Sequence, residues 1–302
     1  STPMRSPAEI GRLAHDAALD AAWRQWTALG AAGGTAANEP TTLDPEALVL
    51  ASSVLVEHER RLGDFLLWWA DAGTRLLSVQ RMRSLLKTWP DEASQNLGGF
   101  ARAAVEAGDR RWKRLAEGEC LEARLGKGAL EPRLTEPTAL VLRLRAGFGV
   151  SAKADLLAIL LGLERPASVR MLADAIGYST VAVRVALGEV VLAGFVEMND
   201  ETPATYRVRD GEAWSALMGE PPSRWGYWAE RYAVLLDIAA WGCNAGVAEW
   251  SPYVAASKAR DVWERHRRAF RLLTPDAPRL DRIRNEEVLP ALQDAVEALA
   301  SS

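Results

Sequence analysis

Hydrophobic residues recur at helical spacing along most of the chain, and short turn-forming segments separate these stretches. The first stretch, residues 8–30, places Ile10, Leu13 and Ala17 near one face and stops at Gly30, which predicts an N-terminal helix. Alanine and leucine dominate the sequence and runs of β-branched residues are few. The pattern therefore predicts a mainly α-helical protein.

The pattern over residues 1–130 predicts an all-helical N-terminal domain. Residues 30–42 are rich in Gly, Ala, Asn and Pro, so we expect a flexible linker there. Asp44 followed by Pro45 is typical of a helix start, because aspartate caps the first turn and proline is preorganised for it. Further helices are predicted at 62–72, 78–88 and 92–118. A loop at 126–137 with Gly and Pro marks the expected domain boundary.

A central domain, residues 131–212, combines helices with short strands in its predicted pattern. Its first segment, 138–145, alternates polar and apolar residues and fits either a strand or the end of a packed helix. The elements predicted after it are helices at 151–163, 168–176 and 179–193 and strands at 195–198 and 204–209.

The last part of the chain, residues 213–302, predicts a third, helical domain that is rich in tryptophan. These tryptophans fit two roles: packing between helices, or lining a pocket for a flat apolar effector. The C-terminal helices are also candidates for a dimer interface. The tryptophans of this part are Trp214, Trp225, Trp228, Trp241, Trp250 and Trp263.

Composition narrows the class of protein. The chain has 302 residues, of which 49% are apolar and 25% charged, as in globular proteins of two or three units. Cys120 and Cys243 are isolated, which argues against disulfides and structural zinc and fits a reducing cytoplasm. No apolar run approaches 18 residues and the N-terminal residues lack a secretory pattern, so we expect a cytoplasmic protein with no membrane segment.

The most informative stretch is the helix pair at 168–193. Ser168 is placed to cap the first helix, Gly177 supplies a turn, and Ser179 is placed to cap the second helix. A turn this short forces the two helices to cross, as in a helix-turn-helix. A hairpin follows the Gly194 stop.

The segment LADAIGYSTVAVRVALGEVVLAGFV resembles the winged helix-turn-helix of bacterial regulators of the MarR and ArsR kind, with the similarity covering about residues 140–210. The resemblance implies a mainly α fold in which a central winged helix-turn-helix with a small β-hairpin wing is flanked by N- and C-terminal helical units. It also implies a transcriptional regulator, a repressor, that binds double-stranded DNA as a homodimer without a cofactor. Its recognition helix would be 179–193 and its wing 199–207.

The same resemblance assigns candidate DNA-binding residues. It places Thr180, Ala182 and Arg184 on the exposed face of the recognition helix, with Ser179 offering its hydroxyl and a helix N-terminus to a phosphate. Arginine at this face reaches guanine edges or phosphates. The remaining candidates are Arg207 and Arg209 at the base of the wing, Arg170 and Lys153.

Other features favour an alternative, a winged helix that docks onto a protein partner such as a toxin or a defence-system enzyme. Val185, Gly188 and Leu192 stand where the family often has polar or charged residues, and residues 151–210 carry a net charge of −2. The whole chain, at −4, does not attract a polyanion either. Two basic segments, 74–88 and 258–284, fit either phosphate contacts beside the recognition helix or solvated helix faces.

Catalytic and metal-binding patterns are missing from the sequence. The three histidines are His15, His58 and His266, and the carboxylates beside His58 belong to different helix faces, so no metal site is predicted. No phosphate-binding loop, nucleophile elbow or metalloprotease motif is present. We therefore expect a protein that is not an enzyme.

Overall fold

The computed structural model describes residues 5–31, 41–117, 131–163, 165–222, 224–244 and 246–301. It is 68% helix and 5% strand, which confirms the prediction of a mainly α fold. Within these residues no single helix is both long and apolar enough to span a membrane. The pair Val169–Ile176 and Thr180–Leu192 passes that test only when both helices are counted together.

The first helix, α1, runs from Pro7 to Ala28, as the apolar spacing predicts. Its start is fixed by a capping box, because the Ser6 hydroxyl accepts from the Glu9 amide while the Glu9 carboxylate accepts from the Ser6 amide. The predicted linker at 30–42 lies mostly outside the described residues. Its last two residues, Thr41–Thr42, are buried and form the short strand β1.

Four helices follow, and the first begins at the predicted cap. Asp44 accepts a hydrogen bond from the Ala47 amide at 3.1 Å, with Pro45 in the first turn. These helices are α2 (Pro45–Leu55), α3 (Arg61–Ala72), α4 (Val79–Leu86) and α5 (Asp91–Glu106).

The helix predicted at 92–118 is too long at its C-terminal end. α5 stops at Glu106 because Gly108 adopts a φ of +103°, a left-handed conformation that favours glycine and ends a helix. Residues Arg110–Leu115 then form a separate 3-10 helix, with Asp109 accepting from the Arg111 amide.

The segment at 138–145, which fits either a strand or a helix by its pattern, is helical. A 3-10 turn at Pro137–Ala139 leads directly into α6, Leu140–Phe148. The elements after it agree with their predicted positions to within two residues. They are α7 (Ala152–Gly162), α8 (Val169–Ile176), α9 (Thr180–Leu192), β3 (Val196–Met198) and β4 (Thr205–Val208). A short strand that the sequence pattern did not predict, β2 (Ala167–Ser168), precedes α8.

Among the residues that the structure describes, the regular elements of the C-terminal part are helices apart from one two-residue strand. Its elements are α10 (Gly211–Met218), β5 (Arg224–Trp225), α11 (Trp228–Gly242), α12 (Pro252–Arg265), α13 (Arg267–Leu273) and α14 (Asn285–Ser301). β5 pairs in parallel with β1, far away in sequence, and the Trp228 indole donates to the Thr41 hydroxyl at 2.9 Å. The N-terminal and C-terminal parts of the chain are thereby joined.

Two hydrophobic cores organise these helices. The first contains side chains from α1 to α5 together with α11 to α14, so helices from the predicted first and third domains share one core. The second is built from α6 to α9 and their strands. α6 contributes to both, since Leu142 lies in the first core and Leu144 in the second.

Most of the tryptophans pack in the first core. Trp26, Trp68 and Trp69 contact one another with ring centroids 5.5 to 6.3 Å apart, and Trp228 and Trp263 are also buried. Packing between helices, rather than a pocket for a flat effector, accounts for these rings. Trp214 differs, because it lies at the edge of the second core.

Candidate nucleic-acid interface

α8 and α9 form two short helices joined by a tight turn. The Ser168 hydroxyl accepts from the Met171 amide at 3.3 Å and fixes the start of α8. Gly177 ends the helix with a φ of +71°, and the Ser179 hydroxyl accepts from the Ala182 amide at 3.2 Å to start α9. The axes of the two helices are bent by 111° across this turn.

The inner face of this unit is apolar and buried. Leu172 and Ile176 of α8 pack with Val183, Leu187 and Val190 of α9 in the second core, where α9 lies against α7. This spacing leaves the opposite side of α9 to solvent.

A three-stranded antiparallel sheet completes the unit. β4 is its central strand, paired with β2 on one side and β3 on the other. The turn between β3 and β4 is closed by Asn199, whose backbone N–H donates to the Thr205 carbonyl while its side-chain oxygen accepts from the Thr205 amide. The hairpin therefore has a defined base beside the end of α9.

The outer face of α9 is more apolar than the resemblance implies. Thr180 and Arg184 are exposed on it, as expected, whereas Ala182 is half-buried at its edge. The same exposed side of α9 also carries Val181, Val185 and Leu192, whose exposed fractions are 66%, 60% and 90%. We call these three residues the apolar stripe.

The basic side chains among the candidate DNA-binding residues fall into two groups. Arg170, Arg184 and Arg209 are exposed and have no ion-pair partner among the described residues. Two others are held by carboxylates: Lys153 lies 2.8 Å from Glu189 of α9, and Arg207 is paired with Glu197 of the neighbouring strand. These pairs are solvent-exposed, so exchanging either carboxylate for a phosphate costs little free energy.

The carbonyl groups at the end of α8 are bonded by three side chains from outside the helix pair. Arg268 of α13 donates to the Asp174 carbonyl at 2.7 Å, Trp225 of β5 to the Ala175 carbonyl at 3.1 Å, and Arg81 of α4 to the Ile176 carbonyl at 3.1 Å. The last carbonyls of a helix lack partners within it. The surrounding helices thus fix the position of the turn that leads into α9.

Arg81 belongs to a buried ionic network that the sequence does not reveal. Its guanidinium binds the Asp44 carboxylate at 2.5 Å and the Glu46 carboxylate at 2.9 Å. Arg145 of α6 binds Glu46 at 2.6 Å and Asp155 of α7 at 2.7 Å. Of the two interpretations of segment 74–88, phosphate contacts or a solvated helix face, neither applies to Arg81, because this side chain is buried and bonded within the protein.

The network reaches the turn between α8 and α9 through Tyr178. Its hydroxyl donates to Asp155 at 3.1 Å. Burial and the nearby Asp155 raise the pKa of Tyr178 well above its ordinary value, so the hydroxyl stays protonated and keeps donating. Burial alone would raise the pKa of Glu46, but the charges of Arg145 and Arg81 outweigh it and this pKa is lowered. Glu46 is therefore ionised in the folded protein.

A further carboxyl beside this network behaves in the opposite way. Burial at the start of α11, with Asp44 nearby, raises the pKa of Glu230 to about 7, although Arg268 and Arg81 act against the shift. Because the folded state holds this proton more tightly than the unfolded state, ionisation of Glu230 destabilises the fold as the pH rises from about 4.5 to about 7.

We therefore expect Glu230→Gln to be more stable than the wild type at pH 8 by about 2 kcal/mol, with the difference disappearing towards pH 4. Urea unfolding of both proteins across this pH range measures it. Glu220→Gln, which changes an exposed glutamate, serves as the control and should shift stability by no more than about 0.5 kcal/mol at any pH. A constant difference between Glu230→Gln and the wild type at all pH values contradicts the expectation.

Within the described residues, no three His, Cys, Asp or Glu side chains are arranged to hold a metal ion. The structure does bring His15 and His58 together, with ring centroids 5.0 Å apart in an edge-to-face contact. Their separation in sequence gave no sign of this pair. Comparison of the chain with family models, curated proteins and solved structures finds no match.

Proposed function

We propose that this chain is a cytoplasmic transcriptional regulator, a repressor, that binds double-stranded DNA by inserting α9 into the major groove. The main observation in support is the outer face of α9, which presents Thr180 and Arg184 to solvent while the turn before it is fixed by the surrounding helices. The element order α7, β2, α8, α9, β3, β4 is the order expected of a winged helix-turn-helix, and this supports the same interpretation.

In this proposal Arg184 contacts base edges, and the other candidates hold the DNA backbone. Arg170 at the start of α8 and Arg209 after β4 have no ion-pair partner among the described residues, so a phosphate can bind them without displacing a carboxylate. Lys153 and Arg207 exchange their exposed carboxylate partners for phosphates. Ser179 keeps its O–H free to donate, since its oxygen accepts the capping bond.

A homodimer is part of the proposal. The net charge of −4 gives no overall attraction to DNA, and few unpaired cations lie near α9, so one copy makes few phosphate contacts. Two copies double that number and read a two-fold operator.

The first experiment compares binding of the purified protein to its own promoter region and to a scrambled duplex of equal length. Salt is varied from about 50 to about 200 mM, because each phosphate contact adds about −0.9 to the slope of log Kobs against log salt. Preferential binding to the promoter with a steep slope supports the proposal. Absence of binding to both duplexes at the lowest salt overturns it.

Replacing Arg184 with alanine is expected to weaken promoter binding by about 5- to 100-fold and to reduce the preference over the scrambled duplex. The loss has this size because a bidentate contact to a base edge contributes about 1–3 kcal/mol of discrimination. Arg12→Ala is the matched control, since this arginine of α1 is exposed and belongs to neither of the two basic segments that are candidates for phosphate contacts. Equal affinities for the wild type and Arg184→Ala exclude α9 as the reading helix.

The apolar stripe supports a second candidate function, docking of α9 onto a protein partner. Leu192 is 90% exposed and aligns with Val185 and Val181 along one face, so the stripe is wider than a single exposed hydrophobic residue. Because Leu192 carries no polar group, Leu192→Ser should leave base reading unchanged. If the protein co-purifies with a partner and this variant releases it while Arg184→Ala does not, the second candidate is favoured.

A further inference from the structure

A groove of about 670 Å³ lies between the end of α6, the residues that enter β3, and α10. It is separate from the outer face of α9. Its position is fixed by α10, which is tied at both ends: Asp210 accepts from the Ala213 amide at its start, and Arg143 donates to the Met218 carbonyl at its end. These hydrogen bonds hold α10 in place along one side of the groove, although none of the residues of α10 is fully buried.

Three aromatic rings form the apolar surface of the groove. Phe195 contacts Phe148 edge to face at 5.9 Å between centroids and contacts Trp214 in the same way at 5.6 Å. Phe148 and Trp214 lie 6.4 Å apart. Phe148 is 45% exposed and Leu217 of α10 is 69% exposed, so apolar side chains reach solvent on both sides of the groove.

Two arginines and one aspartate, Arg143, Arg209 and Asp210, line the groove. Arg143 donates to a carbonyl at the end of α10 and Asp210 accepts from an amide at its start, but a backbone hydrogen bond does not remove the charge of either side chain. The Arg209 side chain has no ion-pair partner among the described residues. With two arginines against one aspartate, the charge of the lining beside the aromatic rings is positive.

We propose that this groove binds a small apolar anion, with its hydrocarbon body on Phe148, Phe195 and Trp214 and its carboxylate or sulfonate group on Arg209. The volume lies within the range of pockets that hold small molecules, and a small number of charged groups beside an apolar lining is typical of such sites. The occupant contacts the open end of the hairpin, because Phe195 precedes β3, Arg209 follows β4, and the Arg209 amide donates to the Phe195 carbonyl at 2.8 Å.

The test uses two fluorescent probes that share the same rings. 8-Anilinonaphthalene-1-sulfonate carries an anionic group, and N-phenyl-1-naphthylamine lacks it. We expect saturable binding of both to the folded full chain, with the sulfonate probe binding more tightly. Arg209→Ala should weaken the sulfonate probe about fivefold and leave the neutral probe unchanged, because an exposed ion pair contributes up to about 1 kcal/mol. Arg209→Lys should restore part of the loss.

Two further variants complete the test. Phe148→Ala should weaken both probes, and its exposed position keeps the fold intact, which thermal unfolding verifies. Arg207→Ala, two residues before Arg209 and paired with Glu197, should affect neither probe. The proposal is overturned if no saturable binding occurs, if Arg209→Ala binds the sulfonate probe like the wild type, or if sedimentation shows a dimer that Leu217→Asp dissociates, since a second copy then covers the groove. None of these results depends on DNA binding.

Discussion

Arg145→Ala is expected to lower the free energy of unfolding by about 3–5 kcal/mol. The Arg145 side chain is only 1% exposed and binds Glu46 and Asp155, which are equally inaccessible. Its removal leaves these two carboxylates with Arg81 as the remaining cation of the network. Burying a charge without its partner costs several kcal/mol, so the loss far exceeds that of a surface pair. Urea unfolding followed by circular dichroism measures the difference.

Arg284→Ala provides the control for this prediction. Arg284 pairs with Glu286 and Glu287 at the surface, and such pairs contribute at most about 1 kcal/mol. If Arg145→Ala costs no more than Arg284→Ala, the buried network does not hold α2, α6 and α7 together in solution. If Arg145→Ala does not fold, Arg145→Met, which keeps an apolar side chain in its place, gives the measurable variant.

Gly242→Ala is expected to destabilise the protein by about 2 kcal/mol, the opposite of what alanine does at most helical positions. α1 and α11 cross where Gly11 faces Gly242, and a Cβ on Gly242 would lie 2.5 Å from the Gly11 Cα and 2.6 Å from the Pro7 carbonyl oxygen. These are backbone atoms, so the clash is relieved only by moving the helices apart.

The matched control for this variant is Gly188→Ala in α9. A Cβ there has no heavy atom within 4 Å, so we expect a gain of about 1 kcal/mol from helix propensity alone. Midpoints of denaturant unfolding for the two variants should therefore move in opposite directions from the wild type. A stabilising effect of Gly242→Ala contradicts the close crossing of α1 and α11.

Local signals in the sequence account for most of the helix boundaries. Ser179 and Ser168 cap their helices where predicted, and Gly177 forms the turn, because a cap needs only a side-chain oxygen two or three residues from an unbonded amide. The end of α5 at Glu106 also depends on a local feature, the glycine at position 108. The prediction placed the end of the helix too late because the helical spacing of apolar residues continues past this glycine. Such errors concern one residue's backbone conformation rather than the fold.

The neighbouring residues in the sequence do not show which charged side chains are buried or which partners they have. Glu46 follows a cap and a proline, a position at which acidic residues are usually solvated, and Arg81 lies in a basic segment that resembles a phosphate-binding face. Their partners in the network are 35 to 99 positions away in sequence. Only the packing of α2, α4 and α6 against one another brings these charges into contact, and only then does burial make them structural.

The sequence by itself determined that the chain is mainly helical and that α8 and α9 meet at a tight turn, because apolar spacing and caps act over a few residues. The spacing of apolar residues also predicted that Val183 and Leu187 of α9 face inward. The tertiary structure decided which charged side chains are buried: Arg81 and Arg145 lie inside the protein, while Arg170 and Arg184 remain exposed, although all four are arginines. That choice depends on the shape of the neighbouring helices, and residue type alone does not encode it.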